Sequence, residues 1–377
     1  MCHKDLEIFF MKLINEDNMG EGNRIMLVSN SFEGYGAEYM LAWLGNMLAE
    51  NGFQVYACAI YDKKKNCRIN SNVAFLSIEL VKSTNPLYFV FLYLFSAGFK
   101  LARLCKQNKI TTVVTFKENP LCVALIAKMF CGFRHIHSER DDPYNRDTCA
   151  SKFKMWLYRF TDHIVFQTKG AQKFFNQNII NQSTIIPNPV IIPSQSWNLD
   201  KAKKTIACVG RLDIRYKRQD ILIKAFAQLE AKYNDWKLVF YGDGNDRLKL
   251  EHLVSELKIE ERVVFYGKVE NVSERLVNDG IFVLASDTEG MPNALMEAMA
   301  LGMPVISTDC SPGGAALLLE NPRNGIIVNR GDVIGMCQAI SNMIDNPSKA
   351  SLMGNAARVS MKKYSPIDIK EKWMMIF

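Results

Sequence analysis

The clearest indication of architecture lies in ASDTEGMPNALMEAMALGMPV, residues 285–305. A short apolar run ends near Ala285, and Pro292 suits the first turn of a helix, where a backbone N–H needs no partner. Gly302, followed closely by Pro304, suits the end of that helix. The stretch therefore predicts a strand, a tight turn and a helix that begins at the carboxyl edge of a parallel sheet.

The same stretch carries groups suited to a nucleotide. The unbonded N–H groups of Asn293, Ala294 and Leu295 would be oriented donors for an anion such as a diphosphate. Glu289 precedes that helix, and Glu297 lies about one turn into it, where a carboxylate can accept hydrogen bonds from two ribose hydroxyls. The alternative is a surface helix with two solvated glutamates.

Strand-like and helix-like segments alternate on both sides of this stretch. Short apolar runs predict strands at 24–29, 54–60, 111–116, 133–137 and 164–168, and again at 204–210, 237–241, 263–266, 281–285 and 304–308. This alternation predicts an α/β fold with two Rossmann-like, doubly wound parallel-sheet domains facing a cleft.

A proline-rich stretch separates the two predicted domains. Pro187, Pro189 and Pro193 lie among Asn, Ser and Gln residues with little periodicity, which is typical of a linker. We therefore expect an N-terminal domain over 1–190 and a C-terminal domain over 200–350.

Two basic side chains mark another strand end, in GRLDIRYKRQD, residues 210–220. Arg211 leaves the strand, and Lys217 opens the next helix, so that both can converge on one phosphate. A solvated basic turn is the alternative for this cluster taken alone.

Glycine-rich loops follow two further strands. In EGYGAE, residues 33–38, Gly34 and Gly36 would let the backbone approach a ligand closely, although a purely structural turn is an open alternative. The loop is not a complete dinucleotide fingerprint, because Tyr39 occupies the place of the third glycine. The SPGGA loop at 311–315 is similar and is a candidate ligand wall.

Polar residues crowd a strand end in HIHSERDDPY, residues 135–144. A His-x-His pair can indicate a metal, but no further ligand pair supports one, and polar lining of a cleft is favoured. The chain contains no P-loop, no GxSxG elbow and no Asp-x-Asp pair. Cations and a helix dipole, rather than a metal, would then neutralise a bound diphosphate.

Composition narrows the class of protein. The 377 residues are 48% hydrophobic and 23% charged, which excludes a disordered or collagen-like chain. The net charge of +7 suits a nucleotide, a phosphate or an anionic membrane surface without choosing among them. No run of apolar residues predicts a spanning helix, and the N-terminus lacks a secretory layout. Ten cysteines without a CxxC pair predict reduced, mostly buried thiols.

Taken together, these motifs resemble the retaining family 4 glycosyltransferases of GT-B fold. The resemblance rests on EGMPNALMEAMALGMPVI with its two glutamates, on GRL and KRQD upstream and on NGIIV downstream. It is strongest over about residues 205–330 and weaker over 24–190. The segment SER-x-DP, starting at Ser138, is similar to the subgroup that builds bacterial surface polysaccharides.

The resemblance implies roles for the residues of the second half. Arg211 and Lys217 would bind the diphosphate, Glu297 the ribose hydroxyls, and Glu289 would act near the reacting side of the donor sugar. The donor-binding set that the resemblance implies is completed by Asn293, Ala294, Leu295, Gly290, Gly210, Gly34 and Gly36.

It also implies roles for the first half, which would bind the acceptor. Many members of the family carry a catalytic histidine there. The matching position falls on Ser138, and His137 stands next to it as the candidate. Glu139 and Arg140 are candidate acceptor-side residues. The segment 351–377 would cross back to pack on the first domain.

The expected activity is transfer of a sugar, with retention of configuration, from a nucleotide-sugar such as a UDP-sugar to a lipid-linked or glycan acceptor. The expected enzyme is a hexosyl- or N-acetylhexosaminyltransferase that needs no metal or other cofactor. It would be cytoplasmic, with possible peripheral contact with the anionic inner face of the membrane through residues 86–106 and 152–159, unless those are ordinary packed amphipathic helices.

Four other functions stay open at this point. They are a nucleotide-sugar epimerase of the same fold, a transferase that uses a GDP- or ADP-sugar, a non-catalytic nucleotide-binding module and a basic protein that binds nucleic acid. The last lacks a recognition motif or a strong basic run, so no nucleic-acid partner is expected.

Overall fold

The computed structural model describes residues 23–32, 36–61, 68–80, 93–145, 148–229 and 231–377. These residues form two compact units. The first takes the described residues up to Arg140 together with Thr148–Val165 and Gln177–Thr184, and the second takes those within Asp141–Asp147, Phe166–Asn176 and Ile185–Phe377.

A seven-stranded sheet is built from the first half of the chain. Its strands are β1 Arg24–Ser29, β2 Gln54–Ala59, β3 Ala74–Ser77, β4 Thr112–Phe116, β5 Arg134–Glu139, β6 His163–Phe166 and β7 Ser183–Ile185, in the order β3-β2-β1-β4-β5-β6-β7. The pairs β2–β3, β1–β2, β1–β4 and β4–β5 are parallel. In β1, Ile25 to Val28 are fully buried, as near-continuous apolar runs predict for a sheet covered on both faces.

Helices connect these strands. They are α1 Gly36–Glu50, α2 Leu94–Gln107, α3 Glu118–Lys128, α4 Cys149–Trp156, α5 Lys169–Gln172 and α6 Gln177–Asn181, with short 3-10 turns at Pro143–Asn145 and Leu157–Phe160. The α3 helix begins with Glu118, an acid suited to the first turn of a helix.

The second sheet has six strands, and all of its neighbouring pairs are parallel. Its strands are β8 Thr205–Val209, β9 Lys237–Tyr241, β10 Val263–Gly267, β11 Ile281–Leu284, β12 Val305–Thr308 and β13 Ile326–Val328, in the order β10-β9-β8-β11-β12-β13. The order reverses direction beside β8, and ligands of open α/β sheets bind at such a switch point.

The helices of this half are α7 Ile214–Lys217, α8 Gln219–Ala227, α9 Arg247–Glu256, α10 Val272–Leu276, α11 Asn293–Leu301, α12 Gly314–Leu318, α13 Val333–Asp345, α14 Pro347–Ser360 and α15 Pro366–Met374. They cover both faces of the sheet, so the second unit has one core on each side of it. Two parallel-sheet α/β domains of this kind confirm the predicted fold class.

Residues 351–377 belong to the second unit, and their expected packing on the first domain stays a prediction. Helix α14 packs closely on the end of α11, because a Cβ on Gly354 would lie 2.1 Å from the carbonyl oxygen of Gly302. Arg358 Nη1 also donates to the carbonyl of Ala300 at 2.8 Å, at the end of α11.

The stretches 141–145 and 166–176 also join the second unit, although both lie inside the expected first domain. The N–H of Ile186 donates to the carbonyl of Phe166 at 2.8 Å, and a Cβ on Gly170 would lie 1.9 Å from the carbonyl oxygen of Pro312. These contacts join residues that are far apart in the sequence.

Two further observations concern the described residues. Seven cysteines among them are thiols that form no disulfide, and five of those are buried. No helix within the same residues is long and apolar enough to cross a membrane.

Candidate active site

The loop that follows β11 is tied to the neighbouring strand ends. Asp287 N–H donates to the carbonyl of Tyr216 at 2.9 Å, and its own carbonyl accepts from Ser311 N–H at 3.0 Å. The N–H of Glu289 in turn donates to the carbonyl of Ser311 at 2.8 Å. The loops after β8, β11 and β12 are therefore joined at the carboxyl edge of the second sheet, as the sequence predicted.

Lys217 and Glu289 meet at this edge. Lys217 Nζ lies 2.5 Å from Glu289 Oε1, and Ser286 Oγ donates to the same oxygen at 2.9 Å. Their side chains are 26% and 14% exposed, so the pair is reachable from solvent. One carboxylate uses only one of the three N–H donors of an ammonium group, and the others are available to an anion.

Arg218 holds this corner in place, and the sequence-based assignment had passed over it. Its backbone is left-handed, with φ of 48°, and its guanidinium pairs with Asp220 at 3.1 Å and with Asp287 at 2.8 Å. Hydrogen bonds to these two carboxylates raise the pKa of Arg218. Because Arg218 follows Lys217 directly, this double ion pair fixes the turn that presents the lysine. In the sequence, the only signal that could have indicated this role is that a second basic residue directly follows Lys217.

Arg211 lies at the end of the neighbouring strand β8 but does not join the Lys217–Glu289 pair. Its Nη2 contacts Asp213 Oδ2 at 2.6 Å, and its side chain is 62% exposed. Gly210, just before it, has φ of 153° and its carbonyl oxygen would lie 2.0 Å from a Cβ on Gly242. Gly242 thus lets the ends of β8 and β9 approach closely, and the φ of Gly210 is one that favours glycine.

The α11 helix presents an uncapped N-terminus at the same edge. Pro292 is extended, with φ of −76° and ψ of 98°, and precedes the helix rather than forming its first turn as expected. Met296 is the first residue whose N–H reaches a carbonyl behind it, that of Pro292 at 3.1 Å. The preceding three N–H groups are those of Asn293, Ala294 and Leu295, the predicted anion donors. Glu297 is half-buried on this helix.

The loop 311–315 packs against the loop that carries Glu289. A Cβ on Gly314 would lie 2.5 Å from the carbonyl oxygen of Gly290, so a side chain there would displace this segment. Of the first glycine loop, Gly34 lies outside the described residues. Gly36 begins α1 with φ of 31°.

Polar groups at the end of β5 in the first unit are buried. His135 and His137 are fully buried, and both bond to Thr115 Oγ1, His135 through Nε2 at 2.9 Å and His137 through Nδ1 at 3.0 Å. Burial, followed by the charges of His137 and Lys128, lowers the pKa of His135 well below its usual value. His135 is thus a neutral member of the sheet, and the role of His137 stays a prediction.

Glu139 and Arg140 continue this buried cluster. Tyr158 Oη donates to Glu139 Oε2 at 2.5 Å, with Glu139 only 2% exposed. The Arg140 guanidinium lies over the Phe116 ring, 4.2 Å from its centre, and burial lowers its pKa to about 9. Within the described part of the chain, no group of three or more His, Cys, Asp or Glu side chains could hold a metal ion.

Comparison with solved structures defines the class of fold. The galactosyltransferase WaaB of the lipopolysaccharide outer core superposes with a TM-score of 0.72 over 93% of this chain and 98% of its own, at 18% identity. Anabaena Alr3699/HepE, solved with UDP and glucose, superposes with a TM-score of 0.80 over 94% and 99%, at 17% identity. The fold is GT-B.

Sequence comparison adds a family match and relatives. Residues 192–360 match Glycosyl transferases group 1. An uncharacterized glycosyltransferase of Haemophilus influenzae is 28% identical over 90% of this chain and 95% of that protein. A Campylobacter jejuni enzyme named N-acetylgalactosamine-N,N'-diacetylbacillosaminyl-diphospho-undecaprenol 4-alpha-N-acetylgalactosaminyltransferase is 29% identical over 89% and 93%. The chain is thus similar to glycosyltransferases over most of its length, and its second half carries the group 1 match.

Proposed function

We propose that this enzyme transfers a sugar, with retention of configuration, from a UDP-sugar to a lipid-linked or glycan acceptor in surface polysaccharide or glycoconjugate biosynthesis. The observation that carries the proposal is the Lys217–Glu289 pair beside the uncapped start of α11. A lipid-linked acceptor is supported by the relative whose name includes diphospho-undecaprenol, and UDP by the Anabaena structure.

The chemistry follows from charge. When the bond between sugar and diphosphate breaks, negative charge grows on the leaving diphosphate. Lys217, Arg211 and the N–H groups at the start of α11 would stabilise that charge, since oriented donors need no reorganisation during the reaction. Glu289 would lie near the reacting side of the sugar. The leaving phosphate would accept the proton of the acceptor hydroxyl, which attacks from the same face, and no metal is required.

A panel of nucleotides tests the donor assignment. We expect UDP and one UDP-sugar to raise the unfolding temperature, while GDP and ADP leave it unchanged. Stabilisation by GDP or ADP instead would point to the corresponding nucleotide-sugar. The absence of stabilisation by any nucleoside diphosphate would contradict the proposal.

The role of Glu297 can be isolated with a ligand that lacks the ribose hydroxyls. We expect wild-type protein to bind UDP more tightly than its 2',3'-dideoxy analogue, by about 10–100-fold, because hydrogen bonds to a carboxylate are strong. Glu297→Ala should erase this difference while the unfolding temperature is preserved. A difference that persists in the variant would exclude Glu297 as the ribose ligand.

A nucleotide-sugar epimerase is the second candidate, because the same donor site would serve it. Release of UDP separates the two activities. A transferase releases UDP only when an acceptor such as a lipid-linked saccharide is present, whereas an epimerase converts one UDP-sugar into another without acceptor. Conversion without acceptor would replace the proposal by the alternative.

A lipid-linked acceptor would bring the cytoplasmic enzyme to the inner face of the membrane, and the first unit has a surface suited to it. Phe153, Trp156 and Phe160 are 59%, 44% and 50% exposed. The Arg159 guanidinium lies 4.7 Å from the centre of the Trp156 ring. Aromatic rings with a basic residue between them fit the interface of an anionic bilayer. Of the other candidate stretch, residues 86–92 lie outside the described residues.

Flotation with liposomes tests this surface. We expect binding to vesicles rich in anionic lipid at low salt, and loss of binding when Phe153, Trp156 and Phe160 are all changed to Ser. Leu248 and Leu352 of the second unit are 78% and 70% exposed, and their change to Ser is the matched control. Equal binding by both sets of variants would remove this surface from the proposal.

A further inference from the structure

Three side-chain amides form a chain that ends at the first residue of α11. Gln167 Nε2 donates to Asn188 Oδ1 at 2.8 Å, and Asn188 Nδ2 donates to Asn293 Oδ1 at 2.5 Å. Gln167 and Asn188 are only 3% and 2% exposed. The third amide therefore takes its orientation from two buried partners that come from outside the donor-site loops.

The backbone around Asn188 is anchored on several sides. Its N–H donates to Met291 Sδ at 3.3 Å, in the loop before α11. The N–H of Ile186 bonds to Phe166, and the N–H of Val190 donates to the carbonyl of Tyr364 at 2.9 Å. Asn188 thus sits on a fixed segment, and its side chain is held against Asn293 by the surrounding structure.

The direction of the hydrogen bonds along these three amides determines which atom of the Asn293 side chain is available to a ligand. Asn293 Oδ1 is occupied by Asn188, and within the described residues no acceptor bonds to Asn293 Nδ2. At the other end, Gln167 Oε1 is buried and has no partner among the same residues. Reversing all three amides would bury an unpaired NH₂ group there instead, and orphaned N–H groups are rarer in proteins than under-satisfied carbonyls.

We propose that Asn188 is a positioning residue that fixes the Asn293 amide so that Nδ2 donates to the diphosphate of the donor. The inference rests on the proposed function and extends it, because it adds a side-chain donor to the backbone N–H groups of α11. Gln167 fixes the direction of Asn188 in the same way. An anion at the helix start is then met by N–H groups only, and no carbonyl oxygen faces it.

Isosteres that replace the amide by a carboxylate at the two buried positions test the inference. Asn188→Asp places a carboxylate oxygen against Asn293 Oδ1, so the Asn293 amide must turn its oxygen towards the phosphates. Gln167→Glu should invert the chain from its far end. We expect each variant to weaken UDP binding by about 10-fold or more, the loss of one hydrogen bond to a charged group. Uridine, which lacks the phosphates, should bind as to wild type.

Two further variants keep the test decisive if the acidic ones fold poorly. Asn188→Ser removes the amide without adding charge, and Asn293→Ala removes the proposed donor itself. We expect that adding Asn188→Ser to the Asn293→Ala variant causes no further loss of affinity for UDP. The Gln177–Asn181 pair, whose amides are 2.7 Å apart on the surface, gives Asn181→Asp as a matched control.

The outcomes separate this inference from the proposed function. If the Asn188 variants weaken the binding of UDP and of uridine equally, the amide chain is only structural and the inference fails. It fails as well if the loss of UDP binding in these variants adds fully to the loss caused by Asn293→Ala. It also fails if these variants bind UDP as tightly as wild type. If wild-type protein binds no nucleoside diphosphate at all, the proposed function itself is contradicted.

Discussion

The ends of β5 in the first unit and β11 in the second carry similar residue types but treat them differently. At the end of β5, two histidines and a glutamate are buried and bond to Thr115 and Tyr158. After β11, Glu289 pairs with Lys217 at a surface that solvent reaches. The ends of two strands, one in each sheet, thus hold one polar cluster sealed from water and one charged pair open to a ligand.

The difference teaches that burial, rather than residue type, decides what such a cluster can do. A buried polar group must be satisfied by its neighbours, which leaves it few donors or acceptors for a ligand. A partly exposed ammonium group keeps its charge and spare donors at a smaller cost. His135 therefore contributes to architecture through Thr115, whereas the Lys–Glu pair is equipped for phosphate. The catalytic role of His137 stays a prediction.

The largest effect is expected at the open pair. Lys217→Ala should lower the turnover number by roughly 10²–10³, as loss of one preorganised donor does in other enzymes. The unfolding temperature should change little, since the lysine is only partly buried. Lys204, 63% exposed and paired with Asp235, supplies Lys204→Ala as a control that should keep full activity. If Lys217→Ala had the same turnover number as wild type, the proposed difference between the ends of β5 and β11 would be contradicted.

A smaller effect is expected in the sealed cluster, and on stability. Tyr158→Phe removes the hydroxyl that donates to buried Glu139 and should lower the free energy of unfolding by about 1–3 kcal/mol. Chemical denaturation measures this loss. Tyr144, 51% exposed, gives Tyr144→Phe as the control, with no loss expected. Equal stability of the two variants would show that the cluster does not support the fold.

The smallest effect is a dependence of stability on pH in the first unit. Burial lowers the pKa of His135, so the unfolded chain takes up a proton at a pH where the folded protein does not. Stability is then complete above the ordinary histidine pKa and falls below it, by at most about 1.4 kcal/mol per pH unit for one group.

Urea unfolding between about pH 7.5 and pH 5 measures this slope, in the range where an ordinary histidine titrates. His135→Gln should flatten it, apart from the contribution of His163, whose pKa burial also lowers. Exposed His252 serves as the control, since its change to Gln should leave the slope intact. An unchanged slope in His135→Gln would assign the pH dependence to other groups.

Much of the fold could be predicted from the sequence because buried parallel strands consist of short runs of apolar residues. Strands such as β1 and β9 were expected with the bounds that the structure has. The edge strand β3 was missed, because its four residues are at most half-buried and carry a weaker pattern. The packing of Gly354 on Gly302, which holds α14 against α11, could not be predicted because it has no local signal in the sequence.

The site was predictable where it rests on residues that follow strands. Lys217 and Glu289 were expected at one edge because parallel strand ends share it, and the structure brings them together. The Arg218 clamp depends on a left-handed residue and on Asp287, 69 positions away. Gln167 lies in a predicted strand and Asn188 in the predicted linker, and neither position carries a local signal for its partner, so only the folded chain reveals the contact.

The contact of Gly170 with Pro312 limits how the molecule can be dissected. A fragment starting at residue 200 would contain the donor motifs predicted in the second half of the sequence, yet it would lack Gly170 and the two amides that orient Asn293. In such a truncation, the surface that the stretch 166–176 and the linker cover would be exposed to solvent. A nucleotide-binding fragment that retains the native pocket has to include the stretch 166–176 as well as the linker.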